Sequence, residues 1–368
     1  MGEAVRCVKR MALTAFQVVI TIAIIWWVFH DPVKRAEIAR TLASANPKWL
    51  LIGLIGYGGV ELISAARWQV LLRVQNLRLS FRRVFGLTMI GVFFNFFIPG
   101  GTGGDAVKMF YLVKETPGRR GMAILSVVVD RLIGLFALIV FAAVLIGLKW
   151  EWLHTAPETG PWLYLALGVL VASLLFLAAT FLVTGLGVVH RLPAKFPGRD
   201  KIAELAMAYN VYGKAILPCG AAFVLSLLAH IGYYGVFYCA IRALASSGME
   251  IPTLAKFYAI MPIIGTITSL PISIGGVGWR EKLFEDFLGG LLAATAGVAV
   301  AISSMGYLLT LAWGLVGGVV YMFYRPSEHA RLRTIRAEMR ELEHELAEEE
   351  IALEVGGTEK RSQPAKRS

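Results

Sequence analysis

Residues 93–111 read FFNFFIPGGTGGDAVKMFY. A phenylalanine-rich apolar run stops at Pro99 and crosses Gly100, Gly101, Gly103 and Gly104. It resumes at about Asp105 as an amphipathic helix start. A near-echo lies 175 positions later, where Gly275-Gly276-Val277-Gly278 follows Pro271 and precedes Arg280, Glu281 and Lys282. Proline and glycine interrupt helices. Irregular backbone at membrane depth is tolerated only where protein or water satisfies its polar groups. Two such breaks inside apolar segments predict helices that stop partway through a membrane, with the rest of the chain as scaffold.

Composition sets that reading in a bilayer. Of 368 residues, 57% are hydrophobic and 17% charged, and the mean hydropathy is +0.65. Several runs of about 18 residues or more carry almost no charge, which marks spanning helices and excludes a soluble multidomain chain. The formal charge of +11 then reads as Lys and Arg gathered in cytoplasmic loops, and no nucleic-acid partner is expected. Cys7, Cys219 and Cys239 lack metal or redox spacing, so they read as packing thiols and no metal site is expected. Basic Arg6, Lys9 and Arg10 precede an apolar stretch at 11–29. It is too long for a signal-peptide core and lacks a small-x-small cleavage site, so it reads as an uncleaved first span.

The apolar segments run at roughly 11–29, 49–66, 84–98, 122–148, 161–189, 215–241, 254–270 and 291–324. Those at 84–98 and 254–270 are short and end in a Pro-and-Gly break. They predict two re-entrant hairpins, 84–113 and 254–288, beside six full spans. With both termini inside, Arg67, Arg73, Arg78, Arg82 and Arg83 fall in one inner loop, and Lys108, Lys114, Arg119 and Arg120 in the next. A third holds Arg191, Lys195, Arg199, Lys201 and Lys214, whereas 149–160 has Lys149 alone. The loop 30–48, with four basic residues, is the exception. If the short segments were full spans, the basic loop 105–121 would lie outside, against the charge rule.

The order span, span, hairpin, span occurs twice, at about 11–148 and 161–324. Three spans per half put the second half upside down relative to the first. The expected fold is therefore an all-α polytopic membrane protein built as an inverted repeat, a plan found in transporters. Its transmembrane domain covers 1–327, and a charged cytoplasmic tail covers 328–368. Residues 200–214 predict a short helix on the inner membrane surface. Leu332, Ile335, Met339, Leu342 and Leu346 give the tail a brief heptad pattern, suited to a cytoplasmic partner or self-association, before an end expected to be disordered.

Residues 101–106 match the dinucleotide pattern GxGxxA, but no βαβ unit surrounds them. A P-loop fails because Val107 precedes Lys108. With no HExxH or GxSxG either, no enzyme activity and no cofactor are expected. The breaks offer helix N-termini, at about Asp105 and Trp279, whose free N–H groups attract phosphate or carboxylate. Lys108 and Arg280 stand nearby as full charges. The competing reading is that the glycines serve close packing alone. Within the apolar segments lie Glu61, Asp130, Arg131 and His230, and a charge at mid-bilayer costs ~2.5–3.5 kcal/mol without a partner or wet cavity. Glu61 reads as a proton-coupling or headgroup-contacting acid. Asp130–Arg131 can equally be a structural pair with Arg67 or Glu281, and His230 a hydrogen-bonded packing residue.

FNFFIPGGTGGDAVKMFYL, then SVVVDRLIGL and SLPISIGGVGWREKLF, resemble the flippase-like membrane family that includes the transmembrane region of lysylphosphatidylglycerol synthase. Arg67-Trp68 resembles that family's RW pair. The resemblance spans about 11–324 and implies an inverted-repeat helical bundle. Its central cavity would be lined or shaped by Pro99, Gly100, Gly101, Gly103, Gly104, Asp105, Asp130, Arg131, Pro271, Gly275, Gly276, Gly278, Arg280 and Glu281. Glu61, Arg67, Asn95 and Lys108 complete the expected substrate-binding set. Only about 40 residues follow the last apolar segment, so no synthase reaction is expected. The expected function is a flippase moving a polar-headgroup lipid across the inner membrane: a phospholipid, an aminoacyl-phospholipid or a polyprenyl-phosphate-linked sugar. The alternative is a non-transporting scaffold that recruits or assists a lipid-modifying enzyme.

Overall fold

The computed structural model describes residues 32–97, 103–155, 157–185, 211–244, 251–270 and 276–325. The first span at 11–29, most of the surface helix at 200–214 and the tail from 326 onward lie outside these residues. So do the centres of both glycine breaks, at 98–102 and 271–275.

Every regular element among the described residues is a helix. A short α1 (Pro32–Ala43) leads to α2 (Pro47–Val74), followed by α3 (Phe81–Phe97), α4 (Gly103–Glu115) and α5 (Arg120–Leu148). One turn, α6 (Trp150–Leu153), precedes α7 (Gly160–Gly185) and α8 (Ile216–Leu244). The chain closes with α9 (Leu254–Thr268), α10 (Trp279–Leu292) and α11 (Ala296–Phe323). Among the described residues five helices (α2, α5, α7, α8 and α11) are long and apolar enough to cross a membrane. The protein is a multi-pass membrane protein. Its outer surface carries Leu51, Ile55, Leu175, Phe176, Leu217 and Phe323, all exposed, as expected of helices that face lipid.

Local chemistry explains several boundaries. Asn46 caps α2, accepting from the Lys48 amide at 3.0 Å, and Pro47 takes the first helical position. Thr253 caps α9 in the same way. The break before α10 ends on Gly276 and Gly278, with φ of 73° and 87°, a region that favours glycine.

Two findings revise the sequence reading here. The second apolar segment was bounded at residue 66, but α2 continues to Val74, so Arg67 is inside a helix rather than in an inner loop. Lys108, assigned to the next inner loop, is buried on α4. Hydropathy alone ends a span at its first arginine. Here Arg67 meets a counter-charge, and the helix has no reason to stop.

Packing follows a reciprocal scheme. α2 and α8 cross at the centre, where Val60 lies against Gly232. α3 packs on α11, and α9 packs on α5. α4 rests on α5 as α10 rests on α11. Small residues make the α3–α11 seam: Gly314 lies under Phe96, Gly318 under Phe93, and Gly317 against the Met89 carbonyl. The two ends of the α3–α4 segment meet. Arg83 Nη1 bonds Glu115 Oε1 at 2.8 Å, and Arg119 Nη1 reaches the Asn76 carbonyl at 3.1 Å.

Candidate functional site

Where α2, α3, α4, α5, α8, α10 and α11 converge they enclose a cavity of about 300 Å³. That is room for roughly ten waters. Seven charged residues line it: Glu61, Arg67, Asp105, Lys108, Asp130, Arg131 and Arg280. Each was a candidate in the sequence. The fold gathers them from four helices and from positions up to 219 residues apart.

Asp130 is the hub. It accepts Arg67 Nε on Oδ1 at 2.8 Å and Nη2 on Oδ2 at 3.0 Å, a bidentate pair. Lys108 Nζ stands 3.6 Å from Oδ2 and 3.6 Å from the centre of the Trp68 ring. Arg67 also donates to Ser226 on α8 at 3.2 Å. Gly134, one turn beyond Asp130, makes the room, since a Cβ there would sit 3.4 Å from Arg67 Nη1. The expected Arg67–Asp130 pair therefore exists, with Lys108 added to it.

Arg131 behaves differently. Its Nε meets Asp105 Oδ2 at 2.5 Å, yet 53% of its side chain is exposed, against 8% for Lys108. It stands at the mouth of the cavity. On the far wall Arg280 donates to Ser303 at 3.1 Å and to Glu281 Oε1 at 2.9 Å, with its guanidinium 4.1 Å from the Tyr307 ring centre. Glu281 lies behind it and does not face the cavity.

At each helix N-terminus one N–H group is taken by a side chain of the protein itself. Glu281 Oε2 accepts from its own N-cap, the Gly278 amide, at 2.6 Å, so α10 is capped by a residue of the chain. α4 starts at Gly103, two residues before the expected Asp105, and the Gly104 amide bonds Asn95 Oδ1 at 2.9 Å. Gly104 is also a packing glycine, because a Cβ there would strike the Gly91 carbonyl oxygen. Pro99, Gly100, Gly101, Pro271 and Gly275 lie outside the described residues.

His230 turns to the Gly134 carbonyl at 3.2 Å and stacks with Phe141 and Tyr234, so it packs rather than faces the cavity. Sequence reasoning missed Tyr57, Ser64, Thr88, Tyr233, Tyr307 and Thr310, which supply the uncharged polar lining. Tyrosine, serine and threonine on an apolar helix carry no motif. Tyr57 and Ser64 lie one turn from Glu61 along α2, which was a usable signal; Thr88, Tyr233, Tyr307 and Thr310 are brought in from other helices and had none.

The sequence matches the family model described as Lysylphosphatidylglycerol synthase TM region over residues 14–318. It is similar to a UPF0104 membrane protein of Pyrococcus horikoshii, 30% identical over 138 residues, 36% of this chain and 39% of that one. A UPF0104 membrane protein of Methanocaldococcus jannaschii is 29% identical over 112 residues, 30% of this chain and 33% of that one. These two alignments thus span about a third of each relative's length. A UPF0104 membrane protein of Methanothermobacter thermautotrophicus aligns over 308 residues at 23% identity, covering 77% of this chain and 87% of the relative.

Proposed function

The chain belongs to the family of the lysylphosphatidylglycerol synthase transmembrane region, and from that premise we propose that it is a transporter of polar-headgroup lipids across the inner membrane. The observation that carries this is the charged cavity inside the helices that cross the bilayer. Moving a headgroup between leaflets means taking it past ~30 Å of hydrocarbon, where an unsolvated charge is costly. Arg131 lies eleven residues beyond Arg120 on α5, or ~16 Å along the axis at 1.5 Å per residue, which is close to mid-depth. A half-exposed arginine at that depth, backed by Lys108 and facing Arg280 across the cavity, suits a phosphate. The tails would stay in lipid.

The inverted repeat belongs to this proposal. The reciprocal packing of α3 on α11 and α9 on α5 supports it. The meeting of residues 76 and 83 with 119 and 115 supports a hairpin that enters and leaves on one side. Rocking one half against the other about the α2–α8 crossing would alternate access to the cavity. No covalent step is assigned to the site.

Native mass spectrometry of the protein in mild detergent, with identification of retained lipid, tests the reading. A phospholipid or polyprenyl-phosphate should be retained by the wild type and lost from Arg131→Ala. Reconstituted wild type should also move a fluorescent phosphatidylglycerol between leaflets. No specific lipid, together with equal translocation by Arg131→Ala, would sink the assignment.

A further inference from the structure

Six of the seven charged side chains facing the cavity are matched: Arg67 and Lys108 with Asp130, Arg131 with Asp105, and Arg280 with Glu281. Glu61 is the seventh, and among the described residues it has no ion pair. Its near partner is the Tyr57 hydroxyl. It is only 5% exposed and sits at the midpoint of α2, a helix of 28 residues.

We infer that Glu61 takes up the proton that accompanies an anionic headgroup into the cavity. This rests on the lipid-transport reading and adds to it a coupling ion. The groups that face Glu61 are Tyr57 and Arg67 on α2, Asp105 and Lys108 on α4, and Asp130 and Arg131 on α5. Tyr233, Arg280 and Tyr307 face it from α8, α10 and α11. Arg67, Lys108 and Arg131 act on it electrostatically, but their contacts are committed to Asp130 and Asp105. A carboxylate buried at mid-span without a cation of its own is expensive when ionised, and those three cations offset part of that cost.

An arriving phosphodiester moves this balance one way. It draws on Arg131 and Arg280 and puts a further negative charge beside Glu61 in the same 300 Å³, where little water screens the repulsion. A proton then passes from water to the Glu61 carboxylate, and it returns to water when the headgroup leaves. No bond to the lipid forms or breaks. Linkage makes the effect reciprocal, so protonation of Glu61 strengthens binding of the anion. Headgroup and proton cross together without net charge. An ammonium guest would instead meet four cations in the same space, which argues against Glu61 as an amine site.

Calorimetric titration of the full chain in mild detergent with dioctanoyl-phosphatidylglycerol tests this, because that phosphate stays ionised throughout the usable pH range. Run in two buffers of different ionisation enthalpy, it should show proton uptake approaching one per lipid. Affinity should rise by up to about tenfold per unit fall in pH. Both effects should vanish in Glu61→Gln and persist in Glu61→Asp. Uptake that survives in Glu61→Gln, or a wild type whose affinity ignores pH, overturns the coupling while lipid binding stands. No binding by the wild type overturns both readings. Glycerophosphoglycerol, the same headgroup without tails, should bind far more weakly; equal affinity would make the guest a soluble phosphodiester and overturn the lipid reading.

Discussion

Asp130 neutralises two cations that the fold has taken out of water, and this makes it the residue whose loss costs most. Removing one partner of a buried ion pair leaves the other uncompensated, at about 3–5 kcal/mol. Asp130→Asn strands Arg67 and Lys108, whose side chains are 14% and 8% exposed. Arg131→Ala removes a side chain that is half exposed and leaves one buried acid, Asp105, which still has Lys108 within electrostatic reach, so it costs less than stranding two buried cations. Thermal unfolding in detergent should therefore show a large fall in midpoint for Asp130→Asn and a smaller one for Arg131→Ala. The reverse order would mean that Asp130 is not the hub of the site. The acids and Arg131 were legible because charge inside an apolar run stands out. Arg67 and Lys108 were legible as candidates but misplaced, since a basic residue at the edge of a hydropathy peak looks the same whether it meets lipid headgroups or a buried aspartate.

The α3–α4 segment shows how a glycine break divides its labour. Gly104 lets two backbones touch: a Cβ there would strike the Gly91 carbonyl oxygen and lie 2.7 Å from Asn95. Gly317 does the same against the Met89 carbonyl on the other side of α3. Neither obstacle is a flexible side chain that can step aside. Gly104→Ala and Gly317→Ala should each destabilise by at least ~1–3 kcal/mol, the usual cost of overpacking. Gly56 and Gly59 on α2 have open space at their Cβ positions. Alanine there should be neutral or gain up to ~1 kcal/mol in helix propensity. A set of unfolding midpoints separates the two pairs, and equal effects at all four would refute close packing as the role of Gly104 and Gly317. The sequence marked this element by its Pro-and-Gly break, and the short helices on either side are present. Whether a glycine faces a ligand or a neighbouring backbone depends on what crosses it, and spacing along one chain does not encode that.

At the scale of the whole molecule, the distribution of charge predicts an orientation for the bundle. With Arg67 and Lys108 withdrawn into the cavity, the helix ends and loops beside α3 and α4 still hold Arg73, Arg78, Arg82, Arg83, Lys114, Arg119 and Arg120. Arg83 and Arg119 bind across to Glu115 and Asn76, so these two loops share one end of the molecule. The end of α11 joins them, through Tyr324 to Glu115 at 2.9 Å and the Arg325 carbonyl to Arg83 at 2.7 Å. Cations near Trp rings mark the opposite end, where Arg242 lies over Trp49 and Lys256 over Trp152, an arrangement suited to a bilayer interface. Positive charge favours the cytoplasm for the first end. In a chain with its three cysteines replaced, Arg78→Cys and Gly118→Cys should resist a membrane-impermeant thiol reagent applied to intact cells and react after lysis. Glu151→Cys, just past the far end of α5, should react in intact cells. Labelling of Arg78→Cys and Gly118→Cys from opposite faces would make α3 and α4 a complete crossing, which would break the inverted repeat and leave the second half in the same orientation as the first.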